Sequence, residues 1–453
     1  MDAVLFSWRG STLFCIGACA VLVLLWLPGV GNPVVSDTVF YARLGHSLWA
    51  EGQYVLDGVP YAKHLPLHAL LSYPLVVLFG VRLGMHFSSL LGGFGVLVTT
   101  FFLVSRLISR RIGALTMLAV LLHPGFLFMT VVGSADLLFT TLFLAILLAL
   151  SYGEESPLCL CTAGILAGLA SLTRYNGLPF FLLIIVYAFF CRRSLLRSPW
   201  LWGGVLLGSF FPGLWLLRNT VVFGNPFFTS YTMELVAESD GPIRQFLSNS
   251  WYYTLPHHNV FALFPFALFG FLMYARKLPL LTAGIVVAEA LTALWWVQAI
   301  RFAFPGYVPL LAFAVLGLLF LVHRFPFRML WIPILTIVAA MQGFSLCLYT
   351  YGACNAWFDR TIGLLPRDMK LSTEGFYTWN QARDALNARA PKGATVQVGD
   401  EIVWNTGIFR SDLRIVADGC PAYRITQRPE AQEEIVSATR DVPVTYVTLQ
   451  RCP

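Results

Sequence analysis

Charged residues are scarce in this chain. Asp, Glu, Lys and Arg make up 12% of its 453 residues, whereas 57% are hydrophobic and the mean hydropathy is +0.71. Soluble domains contain roughly 25% charged residues, so the composition excludes an ordinary water-soluble protein. From Asp359 onward there are twelve basic and twelve acidic residues, so the whole excess of seven positive charges lies in the hydrophobic part. Charge placed there orients membrane helices and does not resemble a nucleic-acid-binding surface.

The sequence also lacks the short motifs of several enzyme and transporter classes. It has no Walker A phosphate-binding loop, no His-Glu-x-x-His and no paired Cys-x-x-Cys. ATP-driven transport is therefore disfavoured. A secondary transporter stays open as an alternative, although no pair of matched broken helices repeats between the two halves.

Long apolar segments instead fill most of residues 1–358. A membrane-spanning helix needs about 20 mostly apolar residues, and we interpret eleven segments as spans. They are 11–30, 85–107, 112–132, 135–152, 157–173, 177–191, 199–217, 258–275, 279–298, 302–322 and 329–350. The sequence therefore predicts an α-helical polytopic membrane protein of about 11 transmembrane helices over residues 1–358. A small α/β domain is predicted over residues 359–453.

The basic residues predict how the chain lies in the membrane. If the N-terminus is cytoplasmic, eleven basic residues fall on the cytoplasmic side, in clusters such as 106–111 and 192–197, and only seven remain for the longer outer loops. By the positive-inside rule this bias sets the orientation. We therefore expect a multi-pass protein of the cell membrane with a cytoplasmic N-terminus. Its outer loops at 31–84 and 219–257 and its C-terminal domain are expected to be extracytoplasmic.

The outer segment 31–84 is predicted to contain two helices that lie in the membrane interface. The stretch from Asp37 to Glu51 places its large apolar residues on one helical stripe. The stretch from Pro66 to Val81 is apolar, but it is short and contains a second proline at Pro74, so we interpret it as a second interfacial helix and not as a span.

Polar groups stand at the predicted outer ends of four helices. They are Arg174-Tyr175-Asn176, Arg218-Asn219, His257-His258 and Arg301. A guanidinium is costly to hold in hydrocarbon, so each arginine is either an interface anchor or a group kept for a partner. Three arginines converging beside Lys63 would form an anion site. Because Arg can give a phosphate two parallel hydrogen bonds, a lipid phosphate is the natural ligand.

Acidic residues are rarer still, since only eleven precede residue 359. Asp37 follows the first span at a predicted helix start. Its carboxylate could take a proton from an acceptor hydroxyl, hold a divalent metal ion, or cap the helix. Asp136 also opens a helix and could be a cap or contact substrate. Glu289 lies in the middle of a helix and could pair with a neighbour or line a cavity.

The C-terminal domain is predicted to alternate helices and strands. We expect helices at 375–389 and 430–440 and strands at 395–399, 414–417 and 445–449. Cys420 and Cys452 could form a disulfide there.

Five segments in the membrane part resemble the GT-C superfamily of membrane glycosyltransferases, in particular its branch of protein O-mannosyltransferases and lipid A aminoarabinose transferases. These segments are Ser36-Asp37 with Tyr41-Ala42, His64-Leu-Pro-Leu-His68, Leu172-Thr-Arg-Tyr-Asn-Gly177, Leu217-Arg-Asn-Thr-Val-Val-Phe-Gly-Asn-Pro226 and Arg301-Phe-Ala-Phe-Pro-Gly-Tyr-Val-Pro309. Their order is typical of the family. The lysine that commonly precedes the family's Pro-Pro-Leu element is His64 here, with Lys63 one place earlier, so either residue could meet the phosphate.

The resemblance implies transfer of a sugar from a polyprenyl-phosphate donor to a lipid, glycan or protein acceptor on the outer face. Asp37 would be the acidic residue at the reaction centre. Lys63, His64, Asp136, Arg174, Tyr175, Arg218, Asn219 and Arg301 would bind substrate. Because a departing phosphate is already a stable anion, one base and a cationic cradle suffice, and the anomeric centre would be inverted. No cofactor is implied beyond a potential divalent metal ion at Asp37. A lipid or solute transporter and a non-catalytic lipid-binding subunit are the alternatives.

Overall fold

The computed structural model describes most of the hydrophobic part and short pieces of the C-terminal part. The described residues are 8–27, 30, 37–56, 58–229, 231, 241–254, 260–295, 299–324, 328–351, 382, 385–398, 414–416, 422–426, 434–438 and 446–449. His257, His258 and the suggested Cys420–Cys452 disulfide lie outside these residues.

Within residues 1–351, the described elements are mostly helices, with a short hairpin among them. The helices are α1 (Trp8–Trp26), α2 (Asp37–Glu51), α3 (Pro66–Leu107), α4 (Arg110–Leu121), α5 (Pro124–Val132), α6 (Asp136–Ser151), α7 (Pro157–Thr173), α8 (Pro179–Cys191), α9 (Pro199–Phe223), α10 (Pro242–Thr254), α11 (Phe264–Tyr274), α12 (Pro279–Ala293), α13 (Ile300–Arg324) and α14 (Arg328–Tyr351). The hairpin pairs β1 (Val55–Leu56) with β2 (Val59–Pro60).

Three helices in the described part, α3, α9 and α13, are long and apolar enough to cross a membrane. The pair α4 and α5 meets the same condition together but is bent by 61°. The bend falls where Pro124 begins α5 and His123 caps it by accepting a hydrogen bond from the backbone N–H of Phe126. The described part also contains seven shorter apolar helical stretches of 10 to 17 residues. The chain is thus a multi-pass membrane protein, and each predicted span overlaps a helix or this bent pair, while the count of about 11 transmembrane helices stays a prediction.

The interfacial helix predicted at 66–81 is separated from the following span by a sharp break. Gly80 adopts φ 78° and ψ 167°, a conformation that only glycine reaches without strain, inside the continuous stretch α3. The chain reverses so tightly there that a Cβ on Gly84 would lie 2.5 Å from the backbone nitrogen of Val76. The first segment of α3 packs against α2, and their contact builds a small core around Tyr41, Leu44 and Ala69.

Helices α7 and α9 pack backbone against backbone through glycines. A Cβ on Gly208 would lie 2.0 Å from the carbonyl oxygen of Gly164, and a Cβ on Gly168 would lie 2.1 Å from that of Gly208. Membrane helices use such small residues because van der Waals contact, and not the hydrophobic effect, holds them together. This contact fixes the end of α7, where Arg174 follows.

The C-terminal part contains a five-stranded sheet in the order β4-β3-β5-β7-β6. Its strands are β3 (Thr395–Val398), β4 (Arg414–Val416), β5 (Tyr423–Thr426), β6 (Glu434–Ala438) and β7 (Tyr446–Leu449). Strands β3, β4 and β7 lie at the predicted positions, and residues 385–389 are helical as expected. The helix predicted at 430–440 is wrong, because Glu434–Ala438 pairs antiparallel with β7. Pairing with a distant strand overrides the helical preference of this Glu- and Ala-rich segment.

Candidate active site

Asp37 stands in the first turn of α2 and makes two charged contacts. Its Oδ1 lies 3.2 Å from Nε2 of His64, and its Oδ2 lies 3.6 Å from a terminal nitrogen of Arg301. The side chain is 25% exposed. It is therefore accessible from the cavity and held from two sides.

These neighbours control the ionisation of Asp37. Burial alone would raise its pKa, but His64, Arg301 and Arg174 favour the charged form and bring the pKa far below its ordinary value. Asp37 is consequently an ionised carboxylate at neutral pH, able to accept hydrogen bonds but not to donate one.

His64 links Asp37 to Tyr61. The Tyr61 hydroxyl lies 2.7 Å from Nδ1 of His64, while Nε2 faces Asp37. With a neutral imidazole, Nε2–H donates to the carboxylate and Nδ1 accepts from Tyr61. The ring is stacked on Phe40 and Tyr61 at centroid distances of 5.6 and 5.7 Å. This packing sets the direction from which His64 meets Asp37.

Arg174 is paired with the second carboxylate of the site. It follows the last residue of α7 in an extended conformation and forms an ion pair with Asp136, which opens α6. Asp136 is 2% exposed and also accepts a hydrogen bond of 2.7 Å from the Ser134 hydroxyl. The carboxylate is thus fully engaged and anchors the arginine.

Arg174 and Arg301 meet at one aromatic ring. Their guanidinium carbons lie 4.8 and 5.0 Å from the ring centroid of Phe302. Two predicted arginines therefore converge, and each is near its own carboxylate. Guanidinium groups arranged in this way can be shared with an incoming anion.

Arg218 occupies a different position, behind the wall of the site. Its guanidinium donates to the Tyr54 carbonyl and to the Asn219 side chain, both at 3.0 Å, and lies 4.9 Å from the Trp215 ring centroid. The Trp215 indole N–H donates to Tyr175 across 3.3 Å. Arg218 thereby supports the wall through Trp215 and Tyr175.

A narrow cavity lies over the paired charges. Its lining includes Asp37, Lys63, His64, Arg174 and Tyr175, together with Asn176, Tyr231 and Trp295. Its volume is about 20 Å³, enough for about one or two water molecules. A sugar is larger than this volume, so the walls of the cavity must move apart for a sugar to enter.

Several aromatic residues of the site were not predicted. Tyr231 lies at the centre of them, with the Lys63 ammonium 5.1 Å from its ring centroid and the Trp295 ring 5.2 Å away. The only feature of the sequence that points to Phe302 is its position directly after Arg301. Tyr231 and Trp295 come from segments in which no spacing or motif distinguishes them.

The divalent metal ion at Asp37 stays a prediction, and the described neighbours of this carboxylate are basic. Within the described ranges, no group of three or more His, Cys, Asp or Glu side chains is placed to hold a metal. Both carboxylate oxygens of Asp37 instead face basic side chains. Basic side chains so close to the carboxylate would repel a metal cation.

A family model described as dolichyl-phosphate-mannose-protein mannosyltransferase matches residues 63–215. This range contains Lys63, His64, Asp136 and Arg174. No curated protein matches the chain in a sequence comparison.

Solved structures resemble the chain over most of its length. ArnT from Cupriavidus metallidurans bound to undecaprenyl phosphate is 14% identical, with a TM-score of 0.61 and 98% of each chain covered. The apo state of the same protein is 16% identical, with a TM-score of 0.63, covering 97% of this chain and 98% of that one. The oligosaccharyltransferase AglB from Archaeoglobus fulgidus, in complex with an inhibitory peptide and a dolichol-phosphate, is 13% identical. Its TM-score is 0.52, and the match covers 78% of this chain and 56% of AglB.

Proposed function

Because the chain has the GT-C fold of membrane glycosyltransferases and matches their mannosyltransferase branch over residues 63–215, we propose that it transfers a sugar from a lipid donor. The donor is a polyprenyl-phosphate sugar, and the acceptor stands on the outer face of the membrane. The observation that carries this proposal is the carboxylate of Asp37, which lines one small cavity together with Arg174 and has Arg301 3.6 Å away.

The two arginines supply what a departing lipid phosphate requires. A guanidinium forms charge-assisted hydrogen bonds with phosphate oxygens, and two of them offset the negative charge that grows on the leaving group. Lys63 or His64, which line the same cavity as Arg174, completes this cradle. Undecaprenyl phosphate on ArnT and dolichol-phosphate on AglB support a polyprenyl phosphate as the carrier here.

Asp37 acts as the base for the acceptor. The acceptor oxygen attacks C1 of the sugar, the C1–O bond to phosphate breaks, and its electron pair leaves with the phosphate. The acceptor proton passes to Asp37. Attack from the side opposite the phosphate inverts the anomeric centre.

Donor binding would make Asp37 a better base. In the free site the pKa of Asp37 is lowered by His64, Arg301 and Arg174, and such a stabilised carboxylate accepts a proton reluctantly. A lipid phosphate that takes hydrogen bonds from Arg301 brings negative charge nearby, and both effects raise the pKa of Asp37. The carboxylate therefore becomes more basic only once the donor is bound.

Asp37→Asn tests the proposed reaction. Asparagine begins a helix about as well as aspartate but lacks the basic carboxylate, so we expect normal amounts of protein in the membrane, retained binding of donor, and transfer lowered by about a hundred- to ten-thousand-fold. Transfer is measured with purified protein in nanodiscs loaded with polyprenyl-phosphate sugars.

The matched control is Glu51→Gln, which removes a carboxylate from the other end of the same helix. It should leave transfer unchanged. Near-normal transfer by Asp37→Asn would refute the role of Asp37 as the base. A transporter or a lipid-binding subunit would instead show donor binding in both variants and no sugar transfer even in the unaltered protein.

A further inference from the structure

A second cleft opens at the other end of α13. Its volume is about 410 Å³, and Leu316, Leu319 and Phe320 on α13 together with Ile112 on α4 form an apolar wall. Tyr274, His323 and Arg324 complete the lining. The cleft thus combines a hydrocarbon-like surface with a basic end.

This cleft is separate from the site at Asp37. Arg301 stands at the start of α13 and Arg324 at its end, so a rise of 1.5 Å per residue places them roughly 35 Å apart along the helix. That is about the thickness of the hydrocarbon core of a membrane. The cleft therefore lies at the opposite membrane surface, on the side of the arginine clusters 106–111 and 192–197.

The polar end of the cleft is positively charged. His323 and Arg324 are exposed, and the exposed Lys277 holds its ammonium 5.4 Å from the ring centroid of Tyr274. His323 Nδ1 donates to the Leu319 carbonyl across 2.7 Å, which leaves Nε2 as its outward atom. The lining contains no acidic residue, and the described Glu154 and Glu155 pair with Arg192 and Arg106.

We propose that this cleft binds one acidic phospholipid. An acyl chain lies along Leu316, Leu319 and Phe320, and the phosphate meets Arg324, with Lys277 beside it. The apolar wall favours a lipid over a soluble anion, because a soluble anion has no hydrocarbon surface to bury against it. The positive end favours an acidic headgroup over a zwitterionic one, since juxtamembrane Lys and Arg attract anionic lipids.

Native mass spectrometry of the full chain tests this site. Delipidated protein is offered phosphatidylglycerol or phosphatidylcholine with identical acyl chains. We expect one phosphatidylglycerol molecule to remain bound and phosphatidylcholine to bind much more weakly. Arg324→Gln combined with Lys277→Gln should weaken phosphatidylglycerol binding by about fivefold for each charge removed.

Leu316→Trp is the second variant, because it fills the cleft and keeps both charges, and it should also reduce the bound lipid. The matched control is Arg193→Gln, since Arg193 is an exposed arginine whose guanidinium lies over the Phe189 ring, away from the cleft. The control should bind phosphatidylglycerol like the unaltered chain. Equal binding of the two lipids, or unchanged binding in both cleft variants, would overturn the proposal.

Discussion

Each arginine at the Phe302 ring has a carboxylate partner, but the two pairs differ in burial. Asp136 is 2% exposed and Arg174 is 18% exposed, whereas Asp37 and Arg301 are 25% and 26% exposed. A buried pair cannot be separated without a large desolvation cost, while a quarter-exposed pair at 3.6 Å is separated at a lower cost. Under the proposed function, Arg174 would therefore be the fixed part of the anion cradle, and Arg301 the part that turns to the donor.

This difference predicts the outcome of Asp136→Asn. The substitution leaves Arg174 charged and without its buried partner, which costs about 3–5 kcal/mol of stability. We expect a clear fall in the thermal unfolding midpoint of the protein in detergent. Asp37→Asn should shift that midpoint much less.

A double variant separates the loss of the pair from other effects. Asp136→Asn combined with Arg174→Gln removes both charges and should recover part of the lost stability, because no uncompensated charge remains. A double variant less stable than the Asp136→Asn single variant would contradict the buried-pair interpretation.

The sequence pointed to the charged residues near the cavity and to Tyr175, but not to Tyr231, Trp295 or Phe302. Arginines and aspartates at the ends of apolar helices stand out because charge is rare there, so Asp37, Arg174 and Arg301 could be found without a structure. The chain has 37 Phe and 17 Tyr residues, and nothing in the local pattern separates Tyr231 from the others. Only packing between distant segments brings it to the cavity.

At the scale of elements, the contact between α7 and α9 is among those most sensitive to side-chain size. We predict that Gly208→Ala destabilises the protein by about 1–3 kcal/mol, because its new methyl group meets backbone that cannot move aside. The shift would also displace the end of α7, so sugar transfer should fall together with the unfolding midpoint.

Gly213→Ala is the matched control on the same helix. A Cβ at Gly213 has nothing within 4 Å, so this substitution should be neutral or slightly stabilising. Equal effects of the two substitutions would show that helix propensity, and not the close contact, determines the outcome.

Elements were predictable where the signal is local. Apolar runs of sufficient length defined the helices, and Pro66 and Pro74 distinguished the segment 66–81 from a span. Gly80, where α3 breaks, was not singled out. The local pattern predicted a helix where β6 lies, because β6 forms by pairing with β7, which lies several residues further along the chain. Strand β5, at the centre of the sheet, was missed for the same reason.

At the scale of the whole molecule, the proposed orientation places Val59 outside and Ser194 inside. Both are exposed, so cysteines at these positions can be labelled without unfolding. In intact cells, a membrane-impermeant maleimide should label Val59→Cys and not Ser194→Cys, in a background lacking the native cysteines. Permeabilised cells should show labelling of both, and the reverse pattern in intact cells would place the reaction on the cytoplasmic face.

The small volume of the cavity affects how much of the donor is lost to hydrolysis. A sugar activated by phosphate can be attacked by water as well as by the acceptor, and Asp37 would deprotonate either nucleophile. A space of about 20 Å³ admits only about one or two water molecules, and the rings of Tyr41, Tyr231 and Trp295 line it. Under the proposed function, these rings protect the donor from wasteful hydrolysis until an acceptor displaces the remaining water.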